Sequence, residues 1–328
     1  MKTTFTRGLE NYKSSSTKST VATLGTFDGI HLGHRAILEQ VQIEAQKEGL
    51  EPVLITFDPH PRVVLTPDNV PLLLTSIEEK EQFIPDYFGG QVLILKFDEK
   101  IRNLTAEEFV KNILVDRIKV KKLIVGYDHA LGKNRQGDAQ ELKRLGQKYG
   151  FEVDIVGPVI HDEKPISSSR IRDAMQNGDF EQAVELLGHH YAIYGQVVRG
   201  MGLGKKLGFP TANVDYYERK LLPPDGIYAC WAKVGHEDLN GMMFIGKNYF
   251  RPDGGKSVEA NLFDFDRDIY DEGIFVYPTH FIRENRKFQS TDELKAQMKK
   301  DKELVLSIIK KEKENASRSR AQSSNCCR

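Results

Sequence analysis

Short apolar runs alternate with amphipathic stretches over the first half of the chain. Apolar residues recur at helical spacing from Ile37 to Ala45 and stop at Gly49, which predicts a helix. Near-continuous Val, Ile and Leu runs separated by helices are typical of a parallel sheet covered on both faces. We expect ligands beyond the carboxyl ends of such strands. The predicted strands are Val21–Phe27, Pro52–Phe57, Val92–Phe97, Leu123–Gly126 and Val153–Val156.

The pattern changes near residue 189. Beyond a helical stretch that ends at Gly188, β-prone runs are separated by Gly, Pro and Asp with no long helix between them. This predicts an all-β unit, which we interpret as a barrel. Ser290 and Glu293 then form a capping box for a last helix. We predict domains at residues 1–188 and 189–312 and a disordered tail at 313–328, where the chain is polar and low in complexity.

The amino-acid composition argues against several classes of function. The 328 residues contain 47 Lys and Arg against 47 Asp and Glu, so the formal net charge is zero. A chain that coats nucleic acid or anionic membrane needs a basic excess, so neither partner is expected. No apolar run approaches the ~18–20 residues of a membrane span, and the start lacks a secretory pattern. Three cysteines (Cys230, Cys326 and Cys327) form no disulfide framework, which predicts a cytoplasmic protein.

A glycine- and histidine-rich loop, Gly25–His34, follows the first predicted strand and opens the first helix. Backbone N–H groups and the helix dipole favour a phosphate at such a place. His31 and His34 are three residues apart, so we expect both rings on one side of the first helical turn. Two imidazole donors there could stabilise a phosphate that another oxyanion attacks. A helix start with two surface histidines, or a metal site that lacks a third ligand, are the alternatives.

A second anion candidate is the run Lys164–Arg172, where three serines and two arginines precede a helical pattern. Hydroxyls, free N–H groups and guanidinium groups converge at such a helix start. Arg170 and Arg172 cannot share a helix face, so we expect Arg172 to face the ligand and Arg170 to face solvent. A serine-capped helix with solvated arginines is the alternative.

The densest motif of the second half is the glycine loop Arg199–Asn213. It fails the dinucleotide and Walker patterns, yet its flexible N–H donors and lysines suit phosphates. Thr211 and Asn213 would point to one face of a strand, where neutral oxygens suit Mg²⁺ beside ATP phosphates. A simple set of turns is the alternative. Glu259, flanked by apolar residues, could act as a general base, or could be a solvent-facing strand residue.

The motifs of the first half resemble the adenylyltransferase half of bacterial bifunctional riboflavin kinase/FAD synthetases across most of residues 15–188. They are Gly25–His34, Phe57–Pro61, Gly126–Asp128, Gly132–Asp138 and Ile166–Arg172. The resemblance implies a Rossmann-like nucleotidyltransferase domain. It implies that His31 and His34 act catalytically on the ATP phosphates, and that Ser168 and Arg172 hold the pyrophosphate side. The further implied ATP-binding residues are Gly25, Phe27, Gly33 and Ser169, and the implied flavin-binding residues are Phe57, Pro59, His60 and Asp128. Ser169 stands where the family has Thr, and Leu131 stands where an aromatic is usual.

The second half is similar to the riboflavin kinase domain, a six-stranded antiparallel barrel, over about residues 189–312. Gly208–Asn213, Gly226–Ala229, Val258–Phe265 and Phe281–Arg283 carry the resemblance. It implies Glu259 as the catalytic base, Thr211 and Asn213 on Mg²⁺ and ATP, and Arg283 on the flavin side. The residues expected at the ATP phosphates from the glycine loop are Gly200, Gly202, Gly204 and Lys205. The segment Lys247–Pro252 replaces a usual Pro-Thr pair, and Asn261 replaces a common His.

Together these observations predict a bifunctional enzyme that phosphorylates riboflavin to FMN and then joins FMN to AMP from ATP, giving FAD and pyrophosphate. Mg²⁺ serves both steps, and the partners are small molecules, with a monomer or weak homo-oligomer expected. Two alternatives stay open. One is an adenylyltransferase with a kinase-deficient, flavin-binding barrel, and the other is a non-catalytic flavin-binding regulatory protein.

Overall fold

The chain divides into two units, Met1–His189 and His190–Arg328. A computed structural model describes residues 1–13, 18–129, 131–132, 136–200, 202–247 and 255–325. In the last helix, the described side chains end at residue 314. The predicted fold class is confirmed: a parallel sheet with helices comes first, and a closed antiparallel barrel with a terminal helix follows.

The sheet of the first unit has six strands, all paired in parallel. The strands are β1 (Thr4–Arg7), β2 (Thr20–Leu24), β3 (Glu51–Asp58), β4 (Gln91–Lys96), β5 (Val120–Gly126) and β6 (Glu152–Val156). All five predicted strands are present, although the first ends at Leu24, so Gly25 and Phe27 belong to the following loop. The pattern missed β1, because this short edge strand has only exposed and half-buried residues and lacks an apolar run.

The strand order is β1-β4-β3-β2-β5-β6, which places β2 between β3 and β5. The chain leaves β2 toward β3 on one side and later returns to pair β5 on the other side. The carboxyl ends of β2 and β5 therefore flank the crevice in which such sheets bind ligands. Strand β2 is buried along its whole length, as expected for a strand covered on both faces.

Helices cover this sheet, and their ends follow local capping rules. The first helix stops at Gly49, whose φ of 68° is a left-handed cap and whose N–H donates to Ala45 O. The helices are α1 (Leu32–Glu48), α2 (Pro61–Leu65), α3 (Ile77–Tyr87), α4 (Glu99–Asn103), α5 (Ala106–Phe109, continued as a π-helix over Val110–Ile118), α6 (Ala139–Tyr149), α7 (Ser168–Gln176) and α8 (Phe180–Leu187). A two-stranded hairpin, β7 (Ile160–His161) with β8 (Lys164–Pro165), precedes α7.

The second unit is a closed barrel of six antiparallel strands in the order β10-β13-β12-β11-β14-β9. Helix α9 (Leu203–Leu207) lies in the glycine loop, and the long helix α10 (Thr291–Asn325) ends the described chain. The core beneath α10 contains Leu207, Phe263 and Val305. The strands are β9 (Ile193–Val198), β10 (Ala212–Tyr216), β11 (Gly226–Val234), β12 (Glu237–Lys247), β13 (Lys256–Leu262) and β14 (Gly273–Arg283).

The predicted disordered tail differs from the structure. Helix α10 continues beyond residue 312 to Asn325. The disorder prediction rested only on the polar, low-complexity composition of this segment. Cys326 and Cys327 lie outside the described residues, and Cys230 is a buried free thiol.

Candidate active sites

The glycine- and histidine-rich loop Gly25–His34, called the histidine loop below, joins β2 to α1 at the crevice beside β5. His31 is the N-cap of α1 rather than part of its first turn, and its Nδ1 accepts the His34 N–H at 3.3 Å. The two rings stack with their centroids 3.7 Å apart. Burial lowers the pKa of His31 to about 4 and lowers the pKa of His34 well below its ordinary value. Both rings are therefore neutral near pH 7, and each can offer one N–H.

Backbone geometry explains the residue types of this loop. Phe27 has a φ of 46° and is buried, and its ring lies 5.1 Å from the His34 ring. A Cβ at Gly33 would lie 3.1 Å from the His31 ring, so glycine leaves room for that ring. The Gly25 N–H donates to Ile55 O at 3.0 Å, so that amide already has a partner. Nδ1 of His34 is buried and has no hydrogen-bond partner among the described residues.

A buried charge network lies beneath the loop and centres on Asp28, whose exposure is 0%. The Arg172 guanidinium donates to the Asp28 carboxylate and, through Nε, to Leu72 O at 2.7 Å. Ser168 Oγ donates to the Asp28 carbonyl at 2.9 Å. Burial opposes ionisation of Asp28, but Arg172 and then Lys80 lower its pKa below the usual value. The structure thus brings Ser168 and Arg172 to Asp28 of the histidine loop, Arg172 through the carboxylate and Ser168 through the backbone carbonyl, a contact that the motif alone did not reveal.

The other residues at the start of α7 are placed differently. Ser169 is exposed at the second position of the helix. The prediction that Arg170 faces solvent is wrong, because its side chain is only 18% exposed and donates to His161 O at 2.7 Å and Lys164 O at 3.1 Å. The β7–β8 hairpin presents these carbonyls, and the helical pattern could not show that the hairpin folds back.

Lys80 is a site residue that the sequence pattern missed. It lies in the first turns of α3, is 4% exposed, and donates from Nζ to Thr26 O in the histidine loop at 2.7 Å. Its charge contributes to the lowered pKa values of His34 and His60. A single lysine in an amphipathic helix is expected at the surface, so no sequence signal could have identified it.

The residues expected at the flavin follow the ends of β3 and β5, the two strands that flank β2. Phe57, at the end of β3, packs edge-on against Phe97 with centroids 5.5 Å apart. Pro59 comes next, and His60 is the N-cap of α2, where burial lowers its pKa to about 4. Asp128 is exposed just after β5. These positions lie at the carboxyl edge of the sheet.

The Gly132–Asp138 motif is described only in part. Leu131 is buried and pairs with Gly137 through two backbone hydrogen bonds of 3.0 and 2.9 Å. Lys133, Asn134 and Arg135 lie outside the described residues.

In the barrel, the glycine loop folds closely around the start of β10. A Cβ at Gly200 would collide with the Asn213 side chain, and a Cβ at Gly204 would collide with the Phe209 carbonyl. Gly202 has a φ of 66°, which favours glycine. Lys205 is exposed on α9. The loop therefore requires its glycines for close packing and positive φ.

Thr211, Asn213 and Glu259 converge across two strands. Asn213 on β10 is directly opposite Glu259 on β13. The Thr211 hydroxyl donates to one Glu259 carboxylate oxygen at 3.4 Å, and the Ser257 hydroxyl donates to the other at 3.1 Å. These neutral and anionic oxygens are ligands that Mg²⁺ prefers. The described residues contain no group of three or more His, Cys, Asp or Glu side chains that could hold a metal ion. A cation here would need further oxygens from a nucleotide.

A cavity of about 310 Å³ opens beside these residues, near the lower end of the range for small-molecule sites. Its wall is largely apolar, and Thr211, Glu259 and Arg283 contribute polar groups. Arg283 forms hydrogen bonds of 2.8 to 3.1 Å with the carboxylate of Asp301, which is buried on α10. Glu259 therefore lines a cavity rather than facing bulk solvent, and Arg283 is anchored at the cavity wall. Residues 248–252 of the altered Lys247–Pro252 segment lie outside the described residues.

Comparison with known proteins agrees with this division. A family model for FAD synthetase matches residues 13–170, and one for riboflavin kinase matches residues 187–309. The chain is 36% identical over 296 residues to the bifunctional riboflavin kinase/FMN adenylyltransferase of Escherichia coli (strain K12). The aligned region covers 90% of this chain and 94% of that protein. The chain belongs to the bifunctional riboflavin kinase/FMN adenylyltransferase family.

Other members and one solved structure extend the comparison. The bifunctional riboflavin kinase/FMN adenylyltransferase of Bacillus subtilis (strain 168) is 37% identical over 297 residues, covering 89% of this chain and 92% of that one. A crystal structure described as a macrolide-efflux protein from Streptococcus pneumoniae has a TM-score of 0.78 and 32% identity, covering 93% of this chain and 99% of that one. In the described part of this chain, no helix is long and apolar enough to cross a membrane.

Proposed function

We propose that this protein makes FAD from riboflavin in two steps, each in its own unit. The barrel phosphorylates riboflavin at its ribityl 5′-hydroxyl to give FMN and ADP, and the parallel-sheet unit joins FMN to AMP from ATP with release of pyrophosphate. The observation that carries the proposal is the presence of two separate constellations, His31 with His34 and Thr211 with Asn213 and Glu259, each inside the matching family region.

In the kinase step, Glu259 takes the proton of the riboflavin hydroxyl as its oxygen attacks the γ-phosphorus of ATP. Its position beside the cavity supports this role, because a flavin in the cavity would bring a hydroxyl near the carboxylate. Thr211 and Asn213 would hold Mg²⁺ together with ATP phosphates, and the cation supplies charge neutralisation on those phosphates. Gly200, Gly202, Gly204 and Lys205 form the loop around the phosphates.

In the adenylyl transfer, a phosphate oxygen of FMN attacks the α-phosphorus of ATP, the bond to the bridging oxygen breaks, and pyrophosphate leaves. No protein nucleophile is needed, so catalysis rests on positioning and on charge stabilisation. Neutral His31 and His34 donate N–H groups to the phosphates at the helix start, aided by the glycines and Phe27 of the loop. Arg172, with Ser168 and Ser169, holds the departing pyrophosphate.

The proposed flavin-binding residues are also divided between the two units. Phe57, Pro59, His60 and Asp128 line the FMN site at the carboxyl edge of the sheet, and Arg283 lies on the flavin side of the barrel cavity. We further propose that the enzyme is cytoplasmic, acts on small molecules without nucleic acid or membrane partners, and is a monomer or weak homo-oligomer. The buried free thiol of Cys230 fits a reducing compartment.

The test is one incubation of the purified full chain with riboflavin, ATP and Mg²⁺, followed by chromatographic separation of the flavins. Formation of both FMN and FAD is expected. FAD from supplied FMN, without FMN from riboflavin, would instead show a kinase-deficient barrel, the outcome that the altered Lys247–Pro252 segment raises. Formation of neither product would leave a non-catalytic flavin-binding protein.

A further inference from the structure

Among the described residues of the parallel-sheet unit, two lysines are buried, and their surroundings differ sharply. Lys122 on β5 is 6% exposed and its charge is fully compensated. Its Nζ forms ion pairs of 2.7 to 3.6 Å with the carboxylates of Glu44, Glu48, Glu152 and Asp154. Hydrogen bonds to these acids raise its pKa above the usual value. This is the pattern expected of a buried charge that serves the fold.

Lys80 has no comparable ion pair among the described residues. Among the described residues, no Asp or Glu oxygen lies within 4 Å of its ammonium group, whose hydrogen bond goes to the neutral carbonyl of Thr26. An ammonium group has three N–H donors, so two remain without a described acceptor. Burial lowers its pKa, with Asp28 as the largest opposing influence. The Asp28 carboxylate is itself bonded to Arg172, and two further acids, Asp58 and Glu79, also oppose the fall in the Lys80 pKa without coming within 4 Å of its ammonium group.

The position of the Lys80 ammonium group indicates which ligand its remaining N–H donors would bind. Thr26 belongs to the histidine loop, and the charge of Lys80 is felt at both His34 and His60. His34 has a buried ring nitrogen without a described partner on the same loop. Buried donors in proteins are normally hydrogen-bonded, so an ammonium group with two N–H donors left over beside this loop favours an acceptor from outside the chain.

We propose that Lys80 is a positioning residue for adenylyl transfer, whose charge favours the phosphate chain of the nucleotide at the adjacent histidine loop. It acts by holding the Thr26 carbonyl, and with it the histidine loop, and by placing next to that loop a positive charge that no described carboxylate contacts within 4 Å. The inference rests on the proposed adenylyl transfer. Inorganic pyrophosphate with Mg²⁺ is the suitable probe, because it contains the phosphate chain without the flavin or the base.

Three variants separate charge from hydrogen bonding: Lys80→Met removes both, Lys80→Gln keeps a donor for Thr26 but no charge, and Lys80→Arg keeps the charge. We expect both neutral variants to bind pyrophosphate at least about tenfold more weakly and to lose roughly 10²-fold in kcat/KM for ATP. Lys80→Arg should recover most of both. FMN formation by the same samples should not change.

Lys122→Met is the matched control, since it removes a buried lysine that faces no ligand. It should lower the thermal midpoint yet leave pyrophosphate affinity unchanged. Wild-type affinity in Lys80→Gln, or an equal loss in Lys122→Met, would overturn the proposal. Failure of both neutral variants to fold while Lys80→Arg folds would assign Lys80 a structural role and also overturn it. If the wild type makes no FAD from supplied FMN, the proposed function itself fails. That result comes from the wild type alone and is therefore distinct from any result with the variants.

Discussion

Replacing Glu259 with Gln tests which unit makes FMN and which group removes the hydroxyl proton. The carboxylate is half-buried on β13 and accepts hydrogen bonds from Ser257 at 3.1 Å and from Thr211 at 3.4 Å. Glutamine has the same shape; the hydroxyl that faces its amide nitrogen can rotate to accept, and the other can still donate to its amide oxygen, so the barrel should fold. The variant therefore removes the base while preserving its surroundings.

The expected loss follows from the chemistry of one proton transfer. A positioned general base contributes about 10²–10⁴-fold, which is about 2.7–5.4 kcal/mol at 1.36 kcal/mol per tenfold. Ser257→Ala is the matched control, because it removes one neutral hydrogen bond to the carboxylate and leaves the base in place. Such a bond is worth about 0.5–1.5 kcal/mol, so the control should lose about tenfold at most.

The assay measures initial rates of FMN formation from riboflavin and, separately, of FAD formation from supplied FMN. Glu259→Gln should lose the first activity and retain the second. FMN formation that falls no further than in Ser257→Ala would refute the role of Glu259 as the base. Equal loss of both activities would refute its assignment to the kinase step.

Three other outcomes follow from the buried charges. Arg172→Met should destabilise the first unit by about 3–5 kcal/mol in urea unfolding, because it leaves the carboxylate of Asp28 buried and unpaired. Since the pKa of Asp28 is lowered in the fold, the stability from this pair is present at neutral pH and lost in acid, so a deficit that grows as the pH falls would contradict the pairing. An NMR titration of His31 should give a midpoint near its folded pKa of about 4, and a midpoint near 6.5 would refute its burial. Asp301→Ala should raise the KM for riboflavin and lower the barrel's thermal midpoint, because the Arg283 guanidinium loses its anchor; an unchanged KM would remove Arg283 from the flavin side.

Local patterns in the sequence were sufficient for the architecture. Continuous apolar runs predicted buried parallel strands, and punctuated β-prone runs predicted the barrel, because side-chain periodicity follows directly from backbone geometry. The histidine loop was also recognisable, since its glycines and histidines are close in sequence and lie between a strand and a helix. Where the pattern was weak it failed: β1 has no apolar run, and the polar end of α10 is helical rather than disordered.

The sequence by itself therefore determined the two units, their secondary structure and the motifs that carry chemistry, because each of these depends on neighbouring residues. Only the tertiary structure decided which charges are compensated. Arg172 meets Asp28 from 144 residues away, and Lys80 reaches Thr26 from 54 residues away, so no spacing rule connects them. The same lysine side chain is solvated on a surface helix, ion-paired with several carboxylates as in Lys122, or buried without a direct ion pair as in Lys80. Burial and the groups that folding brings within hydrogen-bond distance decide between these states.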